Sequence, residues 1–257
     1  MKFQQLKAFL DSKVEYYNNP DFIEGDPVCI PHMFNELQDI EIAGIFAAVL
    51  AWGNRTTIIN KCRELMQYMD NAPYDYIRNH KPKDRIKLMQ FCHRTFNGVD
   101  LLYFIEFLQH YYSNIISLEF AFSGHITAQD KTVEKALIGF HKTFFSLEHP
   151  ERTRKHISTP EKNSACKRLN MYLRWMVRND ENGVDFGLWK HILPSQLVCP
   201  VDVHVSRVGT RLGLIPEAKS DWRTALDLTD KLRQLDPVDP AKYDFALFGL
   251  GVIEKYV

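Results

Sequence analysis

The stretch of sequence that decides the fold is Pro200-Val201-Asp202-Val203-His204-Val205-Ser206-Arg207-Val208-Gly209-Thr210-Arg211. It places one carboxylate directly after an apolar run, and it then places His204, Arg207 and Arg211 two, five and nine residues further along. This spacing predicts a helix that begins at Asp202, where a side-chain oxygen can cap the first N–H groups. An acid beside buried apolar residues costs free energy unless it has a partner, so a purely structural segment rarely carries one. Asp202 is therefore either a helix cap alone or a candidate catalytic group.

The same helical periodicity extends outward over most of the chain. Apolar residues recur at helical spacing in the segments 41–69, 100–112, 133–145, 165–177, 221–234 and 242–256, the first of which is broken into two helices by residues 53–57. Alternating strand patterns with hairpin turns are nearly absent. The sequence therefore predicts an all-α fold of about eight to twelve helices. We expect one unit of two packed helical lobes rather than two independent domains.

Composition excludes several classes of protein. The 257 residues carry 32 basic and 32 acidic side chains, so we do not expect a strongly cationic coat, although residues 151–178 hold eight Lys or Arg and two acids. The five cysteines are scattered without a Cys-x-x-Cys pair, and the histidines show no ligand spacing, so we expect no metal, iron–sulfur cluster or other cofactor. No apolar run is long enough to cross a bilayer, and residues 1–20 lack a signal-peptide pattern, which predicts a cytoplasmic protein without a membrane partner.

A second candidate group lies on the helix predicted at 164–178. Lys167, Asn170, Arg174 and Arg178 share one helical face, and the opposite face is apolar. Lys167 falls in the first turn, where the positive end of the helix dipole disfavours an ammonium and so favours the neutral amine that a lysine nucleophile needs. The polar face is either a solvated basic surface or part of a functional site.

The pattern Asp-x-His-x-x-Arg-Val-x-x-Arg at residues 202–211 resembles the signature of the helix-hairpin-helix DNA glycosylases, and the resemblance covers roughly residues 35–255. It implies two helical lobes with a cleft between them, with Lys167 as the nucleophile on the sugar and Asp202 as the catalytic carboxylate. Lys167 and Asp202 lie 35 positions apart, further than in the endonuclease III branch, because of the segment 179–199. This longer spacing is similar to that of the archaeal 8-oxoguanine glycosylase branch. The overall resemblance is closer still to a bacterial family of unassigned function in the same superfamily.

The resemblance also implies a set of DNA-binding residues. Family members carry Leu-Pro-Gly-x-Gly-x-Lys in the hairpin, whose glycines let backbone N–H groups reach a phosphate. The corresponding residues 161–167 contain no glycine, so Ser164 and the start of the helix are expected to bind the phosphate instead. Further DNA contacts are expected from Arg168, Arg174, His204 and Arg207. For His204 and Arg207 the alternative is a structural role, with Arg207 paired to an acid within the fold.

Two outlying segments fit the same pattern. The turn after the first predicted helix contains Trp52, which either stacks on a base or belongs to the core, and it contains Asn54 and Arg55, one of which would fill the gap left by a flipped base. Near the end of the chain, Asp244 and Phe248 lie four residues apart on one helical face. They resemble the acid and the aromatic ring with which the archaeal branch holds its base. The alternative for this pair is a solvated acid beside a core phenylalanine.

The resemblance therefore predicts a DNA base-excision repair glycosylase with lyase activity that removes a damaged base, such as an oxidised purine, from double-stranded DNA. The main alternative is a catalytically inactive nucleic-acid-binding module on the same fold, which the neutral net charge and the missing hairpin glycines favour. A helical protein–protein adaptor is a weaker alternative, and it predicts no salt-dependent binding of DNA. No obligate protein partner is evident in the sequence.

Overall fold

Helices dominate the chain, whose computed structural model describes residues 2–256. Helical residues make up 62% of the structure and strand residues 2%, which confirms the predicted all-α class. The α-helices within the described range are α1 (Phe3–Tyr17), α2 (Asp21–Glu24), α3 (Leu37–Leu50), α4 (Arg55–Tyr68), α5 (Pro73–Asn79), α6 (Gly98–Tyr112), α7 (Glu119–Ser123), α8 (Glu134–Phe144), α9 (Lys167–Val177), α10 (Val203–Arg211), α11 (Trp222–Leu235) and α12 (Tyr243–Phe248). A π-helical turn (Gly249–Ile253) directly follows α12.

Helical periodicity located α3, α4, α6 and α8 to α12, but it did not predict α1, α2, α5 and α7. It also missed two local features. The helix predicted over 242–256 ends instead at Phe248, because the backbone widens into the π turn at Gly249. The second feature is a short antiparallel β-hairpin, in which β1 (Cys92–His93) pairs with β2 (Phe96–Asn97) across a two-residue turn. Strands of two residues are too short to show a period-two pattern in the sequence.

The described residues form two compact units. The first unit comprises the chain up to Phe22, residues 126–138 and the chain from Thr159 onward, and it contains both Lys167 and Asp202. Helix α12 is almost entirely buried in this unit, and both α1 and α10 pack against it. Burial of α12 therefore fixes the position of α10, whose first residue follows Asp202.

A close contact between α1 and the π turn depends on Gly249. A Cβ atom at this position would overlap the ring of Tyr17, which is buried and whose hydroxyl donates a hydrogen bond to Glu254 Oε1 at 2.7 Å. We expect Gly249→Ala to lower the free energy of unfolding by about 1–3 kcal/mol, because the ring or the helix must shift. Chemical denaturation measures the loss. Gly25→Ala is the matched control, since a Cβ at Gly25 meets no atom within 4 Å, and equal stability of the two variants would contradict this packing.

The second unit comprises Ile23–His125 and Gly139–Ser158 and has an aromatic core. Nearly inaccessible rings from α3, α6 and α8 pack on one another: Phe46, Phe104, Phe107, Phe140 and Phe144. The core also holds a buried carboxylate, Glu41, which accepts hydrogen bonds from the Tyr112 hydroxyl at 2.8 Å and from the Leu118 N–H at 3.0 Å. A buried acid with its acceptors occupied is a structural element of this unit.

The β1–β2 hairpin is firmly anchored in the second unit. Phe96 is fully buried. Arg152 donates hydrogen bonds to the carbonyl oxygen of Thr95 at 2.9 Å and to Oδ2 of the buried Asp100 at 2.7 Å. The tip of the hairpin, which begins at Arg94, is therefore held in a fixed place.

Candidate active site

Lys167 and Asp202 lie in direct contact, although 35 positions separate them in the chain. Lys167 is the first residue of α9, and its Nζ donates a hydrogen bond to Oδ2 of Asp202, the residue that caps α10. The two side chains are 31% and 24% exposed, so a ligand can reach both. The structure thus brings together the two residues that the sequence selected as a catalytic pair.

Asp202 divides its two carboxylate oxygens between two partners. Its Oδ1 accepts hydrogen bonds from the backbone N–H groups of His204 and Val205, both at 2.9 Å, while its Oδ2 faces Lys167. The preceding residues, 197–201, form a buried apolar run, so the chain enters α10 from the interior. The helix cap and the partnership with Lys167 are therefore properties of the same side chain.

The surroundings of Asp202 favour its ionised form. Burial raises the pKa of this carboxyl, but attraction to Lys167 and the hydrogen bonds from Lys167 and the Val205 N–H lower the pKa by more, so it lies below its usual value. Asp202 is therefore a carboxylate at neutral pH. A fixed carboxylate on a partly exposed site can offset positive charge that develops beside Lys167.

The lowered pKa of Asp202 predicts a pH dependence of stability. Asp202→Asn keeps a capping oxygen but removes the charge, so we expect it to lower the free energy of unfolding by about 1 kcal/mol at neutral pH. Because the pKa is lower in the folded protein than in the unfolded chain, the difference is fully present above about pH 5 and shrinks as the pH falls through the folded-state pKa. Urea denaturation of both proteins across this range measures it. A difference that stays constant with pH would show that the charge does not stabilise the fold.

One face of α10 continues the exposed surface beyond Asp202. His204, Arg207 and Arg211 are exposed, and the guanidinium of Arg211 lies 4.6 Å from the ring centre of Tyr256. The opposite face is buried and packs closely, since a Cβ at Gly251 would lie 3.2 Å from Cγ2 of the buried Val208. The two predicted DNA-binding residues of this helix, His204 and Arg207, therefore lie within its first two turns on an accessible surface.

Beyond Lys167 the polar face of α9 is buried, which argues against the prediction that Arg174 contacts DNA. Asn170, Arg174 and Arg178 are only 1–3% exposed. Arg174 donates to Oδ1 of Asp185 from Nε at 3.2 Å and to Oδ2 of Asp244 from Nη1. A guanidinium enclosed with two carboxylates cannot reach a phosphate. Helical spacing alone could not reveal this, because the acids come from other parts of the chain.

Asp244 and Phe248, which the resemblance assigns to base recognition, have different surroundings. Asp244 is 6% exposed, and burial raises its pKa to about 6 against the lowering effect of Arg174. Phe248 is half-buried, and its ring lies 6.0 Å from the ring of Phe22 at a steep angle. The contacts of Asp244 are those of a structural ion-pair partner, whereas Phe248 keeps part of its ring accessible.

The segment 179–199, which lengthens the spacing between Lys167 and Asp202, completes the end of α9. The backbone N–H groups of Phe186 and Trp189 donate to the carbonyl oxygens of Trp175 at 2.7 Å and of Met176 at 2.9 Å, which lie in the last turn of the helix. The same segment contributes Asp185 to the buried arginines. It therefore satisfies helix carbonyls and supplies a counter-charge.

The turn before α9 forms without glycine. Asn163 and Cys166 both adopt the left-handed backbone region, with φ of 54° and 49°, at a cost of about 1 kcal/mol for a residue such as cysteine. The Ser164 hydroxyl oxygen accepts the Cys166 N–H at 3.2 Å, and Ser164 forms an isolated β-bridge with Asp221. Arg168, on the next helix, is half-buried, and burial lowers its pKa. Sequence reasoning missed this turn because asparagine is only a weak signal for the left-handed region and cysteine is none.

The residues predicted to fill the gap of a flipped base belong to the second unit. Asn54 is exposed and caps α4, its Oδ1 accepting the Thr57 N–H at 3.1 Å, and Arg55 is the half-buried first residue of that helix. Trp52 is half-buried, and the guanidinium of Arg94 lies 4.6 Å from its ring centre. Arg94 was not selected from the sequence, because nothing in the pattern of residues 92–97 indicates a hairpin tip.

Within residues 2–256, no group of three or more His, Cys, Asp or Glu is placed to hold a metal ion. None of the helices in that range is both long enough and apolar enough to span a bilayer. The expectation that the protein uses no cofactor stays a prediction.

Fold and site together define an all-α protein in which a partly exposed lysine–aspartate pair joins the starts of two helices. Residues 26–253 match the model of a family described as a protein of unknown function, DUF2400. Since the match covers most of the chain, the protein belongs to this family. The matched range includes Lys167 and Asp202 and leaves out α1. No curated protein and no solved structure is significantly similar to the chain.

Proposed function

We propose that this protein is a DNA base-excision glycosylase with lyase activity, in which Lys167 is the nucleophile and Asp202 the catalytic carboxylate. The observation that carries the proposal is the direct contact between an amine and a carboxylate that are both partly exposed. An ion pair near the surface contributes only about 0–1 kcal/mol to stability, so stability alone is a weak reason for this pairing. The resemblance of residues 202–211 to the helix-hairpin-helix glycosylase signature supports the same assignment.

The chemistry follows from the two groups. A nucleotide turned out of the duplex exposes C1′ of its sugar. The Lys167 amine, after its proton passes to solvent, forms a bond from Nζ to C1′. The N-glycosidic bond breaks, and its electron pair leaves with the base, which takes up a proton. The Asp202 carboxylate stabilises the positive charge on the sugar, and the sugar–lysine adduct opens to a Schiff base that allows β-elimination of the 3′ phosphate.

The position of the pair also favours an anionic ligand such as DNA. Helices α9 and α10 both begin at the pair, and the positive ends of their dipoles attract negative charge. His204 and Arg207 add exposed polar groups on the first two turns of α10. These features support a phosphate-bearing substrate at the site, and the resemblance to the archaeal branch makes an oxidised purine the base to test first.

Borohydride trapping on a panel of duplex oligonucleotides tests the proposal. The duplexes carry 8-oxoguanine, uracil, an alkylated purine or an abasic site, and borohydride reduces any Schiff base to a stable adduct. We expect an adduct with the abasic duplex and with one base lesion, accompanied by release of that base. No adduct and no base release, with salt-dependent binding intact, would make the protein a DNA-binding module without this activity.

A further inference from the structure

We propose that Arg94, at the tip of the β1–β2 hairpin, contacts a phosphate of the DNA backbone from a position that Trp52 fixes. The proposal rests on the proposed function, because it takes DNA as the ligand. It assigns a DNA contact in the second unit to a residue that neither the sequence pattern nor the resemblance selected.

The guanidinium of Arg94 lies on the Trp52 ring because Gly53 leaves room for it. Gly53 has φ of 110°, and a Cβ at this position would lie 2.6 Å from Nη1 of Arg94. The distance of 4.6 Å to the ring centre is that of a cation–π contact. Such a contact orients the guanidinium but occupies none of its five N–H donors. Arg94 is thus held in one orientation with its donors available.

Four other arginines of the same unit donate hydrogen bonds within the fold. Arg78 donates to the Tyr112 carbonyl oxygen, Arg85 to Gln109, Arg152 to Asp100 and Arg154 to Glu151. For Arg94 the described residues 2–256 provide the Trp52 ring and no carboxylate within ion-pair distance. Its charge is therefore not neutralised by the fold, and an external anion can pair with it.

The backbone of Arg94 is strained. Its φ is 56°, in the left-handed region that asparagine and glycine enter far more readily than arginine, at a cost of about 1 kcal/mol. The hairpin has no freedom to relax, since Phe96 is buried and Arg152 holds the Thr95 carbonyl. An arginine kept at a strained, anchored and exposed tip points to a use for its side chain.

The groups around Arg94 leave its positive charge uncompensated. Burial lowers the pKa of His93, and the Arg94 and Lys61 cations lower it further, against hydrogen bonds to backbone carbonyls that raise it. His93 is therefore neutral. Its Nε2 lies 3.3 Å from the Trp52 carbonyl oxygen, so the tautomer with its one N–H on Nε2 donates a hydrogen bond that holds the turn. Lys61 is paired with Glu64 at 2.7 Å. Arg94 thus supplies the free positive charge at this turn.

Binding of an abasic-site duplex at several salt concentrations tests the proposal. Arg94→Asn removes the guanidinium and suits the left-handed backbone, so the hairpin is expected to remain folded. We expect it to bind about 5- to 10-fold more weakly near 0.1 M salt, and the slope of log K against log salt to decrease by about 1. Arg154→Gln is the matched control, because Arg154 belongs to the same unit but is paired with Glu151, and its slope should equal that of the wild type.

Trp52 offers a second readout. The other tryptophans, Trp175, Trp189 and Trp222, are at most 5% exposed. DNA-dependent quenching of tryptophan fluorescence should therefore come from Trp52, and it should be lost in Trp52→Phe and reduced in Arg94→Asn.

Adduct formation distinguishes failure of this proposal from failure of the proposed function. If wild type forms the borohydride adduct and Arg94→Asn matches it in affinity and salt slope, the Arg94 contact is wrong and the glycosylase proposal stands. If no adduct forms but Arg94→Asn weakens binding with the smaller slope, the contact stands and the glycosylase proposal fails. Wild-type protein without salt-dependent DNA binding would overturn the contact.

Discussion

Replacing Lys167 with methionine is expected to reduce borohydride trapping by about 10³-fold or more, because the variant has no amine to attack C1′. Methionine keeps an unbranched stem and a good helix propensity, so α9 should still form. Binding of the abasic duplex should stay within about fivefold of wild type, since the variant loses at most one phosphate contact. Gel quantification of the adduct, together with binding measured on the same preparations, provides the test.

Lys167→Arg is the matched control for charge. An arginine can still pair with Asp202, but a guanidinium is not deprotonated in proteins and does not form the Schiff base. We therefore expect the same loss of adduct with little change in stability. Asp202→Asn should slow trapping by about 10²- to 10³-fold without abolishing it, because it removes charge stabilisation and leaves the amine. A full yield of adduct from Lys167→Arg would assign the nucleophile to another residue.

The largest expected effect on stability comes from Arg174. Arg174→Met leaves the carboxylates of Asp185 and Asp244 buried without this partner, and the remaining arginine of the network, Arg178, reaches only Asp185 of the two. Removing one member of a buried ion pair typically lowers the free energy of unfolding by about 3–5 kcal/mol. Urea denaturation at pH 7 should show a loss of this size.

The pH dependence separates this electrostatic cost from lost packing. The pKa of Asp244 is raised to about 6 in the folded protein, so protonation of this carboxyl favours the folded state, and that stabilisation is lost as the pH rises through about 6. The deficit of Arg174→Met should therefore be smaller near pH 5 than near pH 7.5. Asp244→Asn is the control, because it removes the charge and keeps an acceptor for Arg174. A deficit in Arg174→Met that does not change with pH would mean that lost packing, rather than buried charge, causes it.

The sequence predicted the two helix starts that carry Lys167 and Asp202 better than it predicted the residues around them. Asp202 and Lys167 are each tied to a helix start, and a start is encoded locally by a capping side chain and the onset of apolar periodicity. Their contact could be inferred only through the resemblance, since 35 positions separate them. The burial of Arg174 was out of reach, because helical spacing shows which residues share a face and not what covers that face.

In the second unit, the contact between Trp52 and Arg94 was likewise not predictable from the sequence. Periodicity predicted α3 and α4 and the turn between them, and it left Trp52 with two interpretations. The residue that contacts the Trp52 ring, Arg94, lies on a hairpin of two-residue strands. Its position depends on Gly53, which has no side chain to fill the space that the guanidinium occupies. When a glycine leaves space for a distant side chain, the sequence around that side chain does not show which residue will fill the space.

Mapping the attachment site of the trapped adduct tests the central claim most directly. After borohydride reduction on an abasic duplex, nuclease and trypsin digestion should leave a sugar fragment on one peptide, which mass spectrometry identifies. A modified Lys167 resists trypsin, so the account predicts that the fragment lies on a peptide spanning residues 163–168 with an uncut bond after Lys167. A fragment on any other lysine or on the N-terminal amine would contradict the assignment of Lys167 as the nucleophile.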